Sequence, residues 1–212
     1  MAGARTKKVV PLELPSEELL TRRDDIMNVA IDLFAKRGFK GTSIRNIADA
    51  LGVSVSNIYH YFGNKEGLWL AILEHSVKDL PKRLAAELRD AGDDPAERLR
   101  ALLRAHLKLS ALHHKESQIF FIDQSMLSPE GMKVNRKIQK GVLDIYVKEL
   151  TDLKKAGKTD ADNIKIMAFN MLALVNWYLR WYRADGALPA EKVHQYIIDF
   201  ALHGVLGPPE PR

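Results

Sequence analysis

The chain has 212 residues, of which 46% are hydrophobic and 28% charged, with no cysteine and a formal net charge of +5. That length and apolar share suit one large domain, or a small domain joined to a medium one, with a packed core. The absence of cysteine excludes disulfides, thiolate metal sites and cysteine nucleophiles, and the mild positive charge favours an anionic partner without identifying it.

Residues 1–16 lack helical periodicity and carry Arg5, Lys7 and Lys8. They are predicted to be a disordered basic arm, either a solvated tail or one that reaches phosphates. No apolar stretch follows these charges, so no signal peptide is expected. The next helix is predicted to begin at Glu17 or Arg22 and to reach Arg37, with Ile26, Val29, Ala30, Leu33 and Phe34 on one stripe and Gly38 ending it. Thr42 is the expected N-cap of a short helix in which Ile44, Ile47, Ala48 and Leu51 share a face. Gly52 then stands where a helix-ending residue with positive φ belongs. Ser54 caps a third helix, which turns Ile58 and Phe62 inward and Ser54, Ser56, Asn57, His60 and Tyr61 outward. Two short helices joined by a glycine-containing turn form a helix-turn-helix, whose second helix enters the DNA major groove.

The run Ile58-Tyr59-His60-Tyr61-Phe62, followed by Asn64-Lys65-Glu66 and preceded by Gly38-Phe39 and Gly41-Thr42-Ser43, resembles the N-terminal domain of TetR-family bacterial transcriptional regulators. The resemblance covers residues 22–73. It departs from the family at Gly67, where a Glu often completes a capping box with Asn64, so a slightly weaker helix start is expected there. The resemblance implies a homodimer on a palindromic operator in double-stranded DNA. Arg45 lies where family members send a side chain to a base, a plain phosphate contact being the alternative. Ser54, Val55, Ser56, Asn57 and Tyr59 would present the reading helix. Thr42 and Ser43, at a helix N-terminus whose amides and dipole favour anions, would hold a phosphate that His60, Tyr61 and Lys65 close from the other side. For Tyr61 the alternative is packing alone.

A helix is expected to start after the Asn64 cap and to carry Leu68, Trp69, Ile72, Leu73, Ser76, Val77 and Leu80. Pro81 must kink or restart it before the break at Gly92. Asp94-Pro95 and Ser128-Pro129 both read as N-cap plus first helical residue. They bracket a helix containing Leu99, Leu102, Leu103, His106, Leu107 and Ser110, and a shorter segment over residues 116–127. Further helices are expected to about Lys155, over residues 160–183, and over residues 189–205, before a loose Pro-rich tail at 207–212. Strand-like alternation is missing, so the chain reads as all-α, with nine helices or ten if Pro81 breaks one. The organisation predicted is a three-helix, helix-turn-helix DNA-binding domain over residues 17–65 and a helical ligand-binding and dimerisation domain over residues 66–206.

No phosphate-binding glycine loop, metalloprotease motif or nucleophile elbow is present, so the chain does not read as an enzyme, and no cofactor is expected. His75 and Asp79 are one turn apart on a charged helix and read as surface residues. His113 and His114 are adjacent and point about 100° apart on a helix, so no metal site is expected. His106, on an apolar stripe, reads either as a satisfied core histidine or as a polar group in a cavity. The longest apolar run, residues 166–182, contains Asn170, Asn176 and Arg180 and is short for a membrane span, so a cytoplasmic protein with no membrane partner is expected. Trp177, Tyr178, Trp181 and Tyr182 come within six residues, which predicts a helix buried almost all round. It serves either a homodimer interface or a ligand pocket. Val175, Tyr178, Tyr182, Val193, Ile197 and Phe200 are the expected dimer contacts. Asn176-Trp177, Arg180-Trp181-Tyr182 and Asp185-Gly186 resemble the C-terminal domain of TetR-family regulators of fatty-acid and sterol breakdown, several of which bind acyl-CoA thioesters. The resemblance implies a repressor released by a small apolar effector, an acyl-CoA or another hydrophobic or aromatic compound such as a drug. His106, Phe120, Phe121, Gln124, Met167, Asn170, Asn176 and Arg180 are the candidate effector contacts, with Met126, Phe169 and Met171 adding apolar surface.

Overall fold

The computed structural model describes residues 17–120, 127–183 and 185–206, with side-chain burial from residue 22 onward. The predicted arm and tail, and Phe121, Gln124 and Met126, lie outside the described residues. All regular structure among the described residues is helical. Among the described residues there are ten helices: α1 (Glu17–Arg37), α2 (Ile44–Leu51), α3 (Val55–Phe62), α4 (Lys65–Ser76), α5 (Leu80–Glu87), α6 (Pro95–Leu112), α7 (His114–Phe120), α8 (Pro129–Lys155), α9 (Ile164–Trp181) and α10 (Ala190–His203).

Local chemistry sets most boundaries. The N-cap of α2 is Ser43 rather than Thr42. The Ser43 hydroxyl accepts from the Asn46 amide, and the Asn46 side chain accepts from the Ser43 amide, a capping box. Gly52 ends α2 at φ 66°, which lets its N–H reach the Ala48 and Asp49 carbonyls while Val53 N–H also bonds Ala48. Ser54, Asn64, Asp94, Ser128 and Asn163 each cap the helix that follows. Pro81 restarts the chain rather than kinking it. Helix α4 stops at Ser76, and Pro81 occupies the first turn of α5, where its missing N–H has no partner to lose. Gly67 stands in a tight place. A Cβ there would stand 2.0 Å from the Phe62 carbonyl oxygen, so a side chain at this position would require the α3–α4 turn to shift, and the Gly67 amide donates to the Asn64 side chain at 2.8 Å.

Two apolar cores form. The first joins α1 to α4 through Ile26, Ala30, Phe34, Ile47, Ile58, Leu68, Trp69 and Ile72, and also takes in Ile119, Phe120, Leu127 and Ile138 from downstream. The second gathers α5, α6, α8, α9 and α10 around Leu99, Leu102, Tyr146, Leu150, Val175 and Leu202. The first core therefore crosses the boundary expected at Lys65. The Trp69 indole N–H donates to the Ile119 carbonyl at 3.1 Å and ties α4 to α7. Within the second core, Arg98 forms a two-pronged pair with buried Glu149 at 2.9 and 3.1 Å and donates to the Leu88 and Gly92 carbonyls. Glu149 beside it holds the Arg98 guanidinium above its ordinary pKa.

Candidate nucleic-acid interface and effector cavity

Helix α3 is anchored by fully buried Ile58 and by Phe62, over whose ring the Arg23 guanidinium sits at 5.5 Å. Those anchors turn Ser54, Ser56, Tyr59 and His60 to solvent and leave Val55, Asn57 and Tyr61 half-buried. Arg45 is exposed on α2. Tyr61 packs against His60 and Phe62, with ring centroids 5.6 and 6.1 Å away. Ser43 is exposed at the start of α2.

Two of the expected phosphate contacts are otherwise engaged. Thr42 is 1% exposed, and its hydroxyl donates inward to the Leu33 and Gly38 carbonyls, so its side chain is a strut of the α1–α2 turn. That placement contradicts a phosphate contact through the Thr42 hydroxyl. The Lys65 ammonium donates to the Phe39 and Thr42 carbonyls at 2.8 and 3.1 Å and lies 4.3 Å above the Phe39 ring. Partial burial lowers its pKa. Lys65 thus pins the start of α4 to the turn that positions α2.

A second tie joins this region to the helices downstream. Glu66 Oε1 accepts from the Ser128 amide at 2.8 Å and from the Ser128 hydroxyl at 2.9 Å. A Cβ on Gly131 would stand 2.0 Å from the same oxygen, so the carboxylate seats against the first turn of α8 because residue 131 is glycine.

A cavity of about 770 Å³ opens between α6, α7, α8 and α9, with Val77 and Leu80, at the α4–α5 junction, on its wall. Leu143, Leu172 and Leu179 make it apolar, and Ser110, Gln139 and Asn176 add polar groups. Exposed Arg136, Lys140 and Lys165 give it a cationic side. Of the sequence-predicted effector contacts, His106, Phe120 and Asn176 line it. Met167 packs against the second core, while Asn170 and Arg180 face solvent, which corrects their assignment. Phe121 and Gln124 lie outside the described residues. His106 is fully buried, with Nδ1 3.0 Å from the Tyr146 hydroxyl, and desolvation pulls its pKa down to about 4. The cations were not legible from spacing, because α8 and α9 bring them together only on folding.

The expected dimer contacts divide. Val175, Tyr178 and Val193 are buried in the protomer's own core and present nothing to a second copy. Tyr182 and Ile197 are half-buried, and Phe200 is 70% exposed. Nor is α9 buried all round: Trp177, 66% exposed, and Trp181 lie open, and Tyr196 on α10 adds to this apolar surface.

Comparison with known proteins matches residues 26–72 to the family described as bacterial regulatory proteins, tetR family, and residues 92–205 to the tetracyclin repressor-like C-terminal domain. The HTH-type transcriptional repressor KstR2 of Mycolicibacterium smegmatis is 28% identical over 191 residues, 87% of this chain and 91% of its own length. The ketosteroid transcriptional regulator KstR2 of Mycobacterium tuberculosis superposes with a TM-score of 0.74 at 26% identity, over 88% of this chain and 96% of its own. AibR, in complex with isovaleryl coenzyme A and operator DNA, gives a TM-score of 0.75 at 26% identity, over 84% of this chain and 97% of its own.

Proposed function

The chain belongs to the TetR family of DNA-binding transcriptional regulators, which are not enzymes, and from that premise we propose that it is a homodimeric repressor released from a palindromic operator by an acyl-CoA thioester of lipid catabolism. The cavity carries the reading. It is apolar inside, cationic at its exposed side, and walled by the very residues, Val77 and Leu80, that join the DNA-binding helices to the rest. An acyl chain suits the leucine-lined interior. The phosphates of coenzyme A suit Arg136 and Lys165, which a purely apolar compound would leave unused, and compete for Lys140 with Asp144, 2.6 Å from its ammonium. The relatives add support: AibR is bound to isovaleryl coenzyme A together with operator DNA, and KstR2 is named a repressor.

On DNA, Arg45 reads a base from α2, and Ser54, Val55, Ser56, Asn57 and Tyr59 present the reading edge of α3. Ser43 and the α2 amides meet phosphate, with His60 and Tyr61 alongside. Lys65 acts chiefly by holding α4 against the α1–α2 turn, and its remaining ammonium proton is left for a phosphate. Two copies are needed because one helix-turn-helix reads too few base pairs, and half-sites then lie about 34–36 Å apart or a multiple of that. The second copy covers Trp177, Trp181, Tyr196 and Phe200, giving a four-helix interface from α9 and α10 of each protomer. An effector pressing on Val77 and Leu80, and on α8, moves α4 through the junction and through the Glu66–Ser128 tie, changing the spacing of the two reading helices.

The test is a titration of long-chain acyl-CoA, free coenzyme A and free fatty acid against the protein–operator complex. Release by acyl-CoA alone is the expected result. If acyl-CoA neither binds nor releases DNA, the acyl-CoA assignment fails, and if a panel of hydrophobic and aromatic compounds also fails, effector control fails with it.

A further inference from the structure

Tyr146 is fully buried on α8, and the partner found for its hydroxyl among the described residues is His106 Nδ1 on α6, at 3.0 Å. A buried phenol must place its proton on an acceptor. Were Nδ1 protonated, the phenol would have to accept there and its own proton would be stranded in the core. The pair therefore settles with Tyr146 donating to a bare Nδ1, which puts the imidazole proton on Nε2. Burial keeps both groups neutral, raising the pKa of Tyr146 and lowering that of His106. His106 lines the cavity while Tyr146 does not, and no partner for Nε2 is found among the described residues. The ring edge opposite Tyr146 is thus a fixed, uncharged N–H donor inside an apolar chamber.

We infer that the His106–Tyr146 pair is a carbonyl-reading site: the Nε2–H of His106 donates to a neutral oxygen of the effector, a thioester or ketone carbonyl. The inference rests on the effector reading of this cavity and adds the polar group the effector must carry. A desolvated neutral donor suits a carbonyl and cannot balance the charge of a carboxylate. The balancing cations Arg136 and Lys165 lie on the exposed side instead. The cavity therefore separates a neutral acceptor within from an anion outside. An acyl-CoA thioester has that order of groups, and a free fatty acid, with one terminal carboxylate, does not. Sequence left His106 open between core and cavity; it serves both, through its two nitrogens.

Two measurements test this on the full-length protein. Long-range proton–nitrogen correlation on histidine-labelled protein should show His106 with its proton on Nε2, and a proton on Nδ1 would overturn the proposal. Calorimetry should then show isovaleryl-CoA binding about tenfold more tightly than the thioether in which CH2 replaces the carbonyl, the ~1.4 kcal/mol of one hydrogen bond. His106→Leu should bring that ratio to about one, and Tyr146→Phe, which keeps the shape of the core, should reduce it. A ratio of tenfold surviving in both variants overturns the proposal, as does a ratio near one in the wild type. If neither coenzyme A compound binds the wild type and long-chain acyl-CoA does not bind either, the acyl-CoA reading fails by itself. The carbonyl site then stands or falls on 2-octanone, which should shift the His106 Nε2–H signal; an unmoved signal overturns it.

Discussion

Phe200→Asp should convert the protein to monomers that bind operator poorly. Phe200 is 70% exposed on an otherwise folded protomer. A phenylalanine carries on the order of 200 Å² of surface, so ~140 Å² is open to a partner, worth ~3.5 kcal/mol at ~25 cal/mol/Å². An isologous interface counts every residue twice, which brings the ceiling to ~7 kcal/mol, or about 10⁵-fold in dissociation constant. Half of that already raises it several hundredfold, before the cost of desolvating two carboxylates. Sedimentation velocity across nanomolar to micromolar concentrations, with circular dichroism to confirm folding, measures the effect. Val175→Glu is the contrasting control: Val175 is fully buried in the second core, so a charge there should unfold the protomer rather than free it. A wild type that sediments as a monomer at micromolar concentration, or a Phe200→Asp variant that dimerises as tightly as wild type, would refute the interface.

Arg45→Ala should weaken cognate operator more than variant sequences, by about 1–3 kcal/mol if the guanidinium grips a guanine; an equal loss on all sequences would make it a phosphate contact. Gly131→Ala should drive Glu66 off Ser128, since the new Cβ would stand 2.0 Å from the carboxylate oxygen, at about 1–3 kcal/mol for the two lost hydrogen bonds, offset by up to about 1 kcal/mol of helix propensity gained in α8. Adding it to Glu66→Ala should then cost little more, and full additivity in thermal melts would dissolve the tie. His106 has a folded pKa of about 4, below the ~6.5 of an unfolded chain, so its contribution to stability is complete above pH 6.5 and is lost as pH falls towards 4, ~3 kcal/mol in all. His106→Leu should remove that share of the acid sensitivity in urea melts at pH 7 and pH 4.5; an unchanged pH dependence would show that the ring is not buried neutral.

The helix-turn-helix was legible because its signals are local. Gly52, Ser54 and Asn64 act within four residues of themselves, and the apolar spacing from Ile44 to Leu51 sets a face without help from the rest of the chain. Adjacent hydroxyls are harder. Thr42 and Ser43 are both competent caps, and the choice falls to the Leu33 carbonyl, nine residues back, which draws Thr42 inward. The faces of α9 were misread because aromatics on every side carry no periodicity. Packing against α6, α8 and α10 decided that Val175 and Tyr178 turn in while Trp177 and Trp181 turn out. The cationic side of the cavity and the Glu66–Ser128 tie join residues far apart in the chain, 62 positions in the second case, and no window along the sequence contains either.

Coupling between cavity and reading helices is most directly measured as reciprocal linkage. Operator affinity is followed by fluorescence anisotropy at rising isovaleryl-CoA, and isovaleryl-CoA affinity by calorimetry with and without saturating operator. If the cavity controls DNA binding, each ligand weakens the other by the same factor, about tenfold or more, equivalent to at least ~1.4 kcal/mol of coupling. Isovaleryl-CoA bound in the cavity while operator affinity stays unchanged would contradict it.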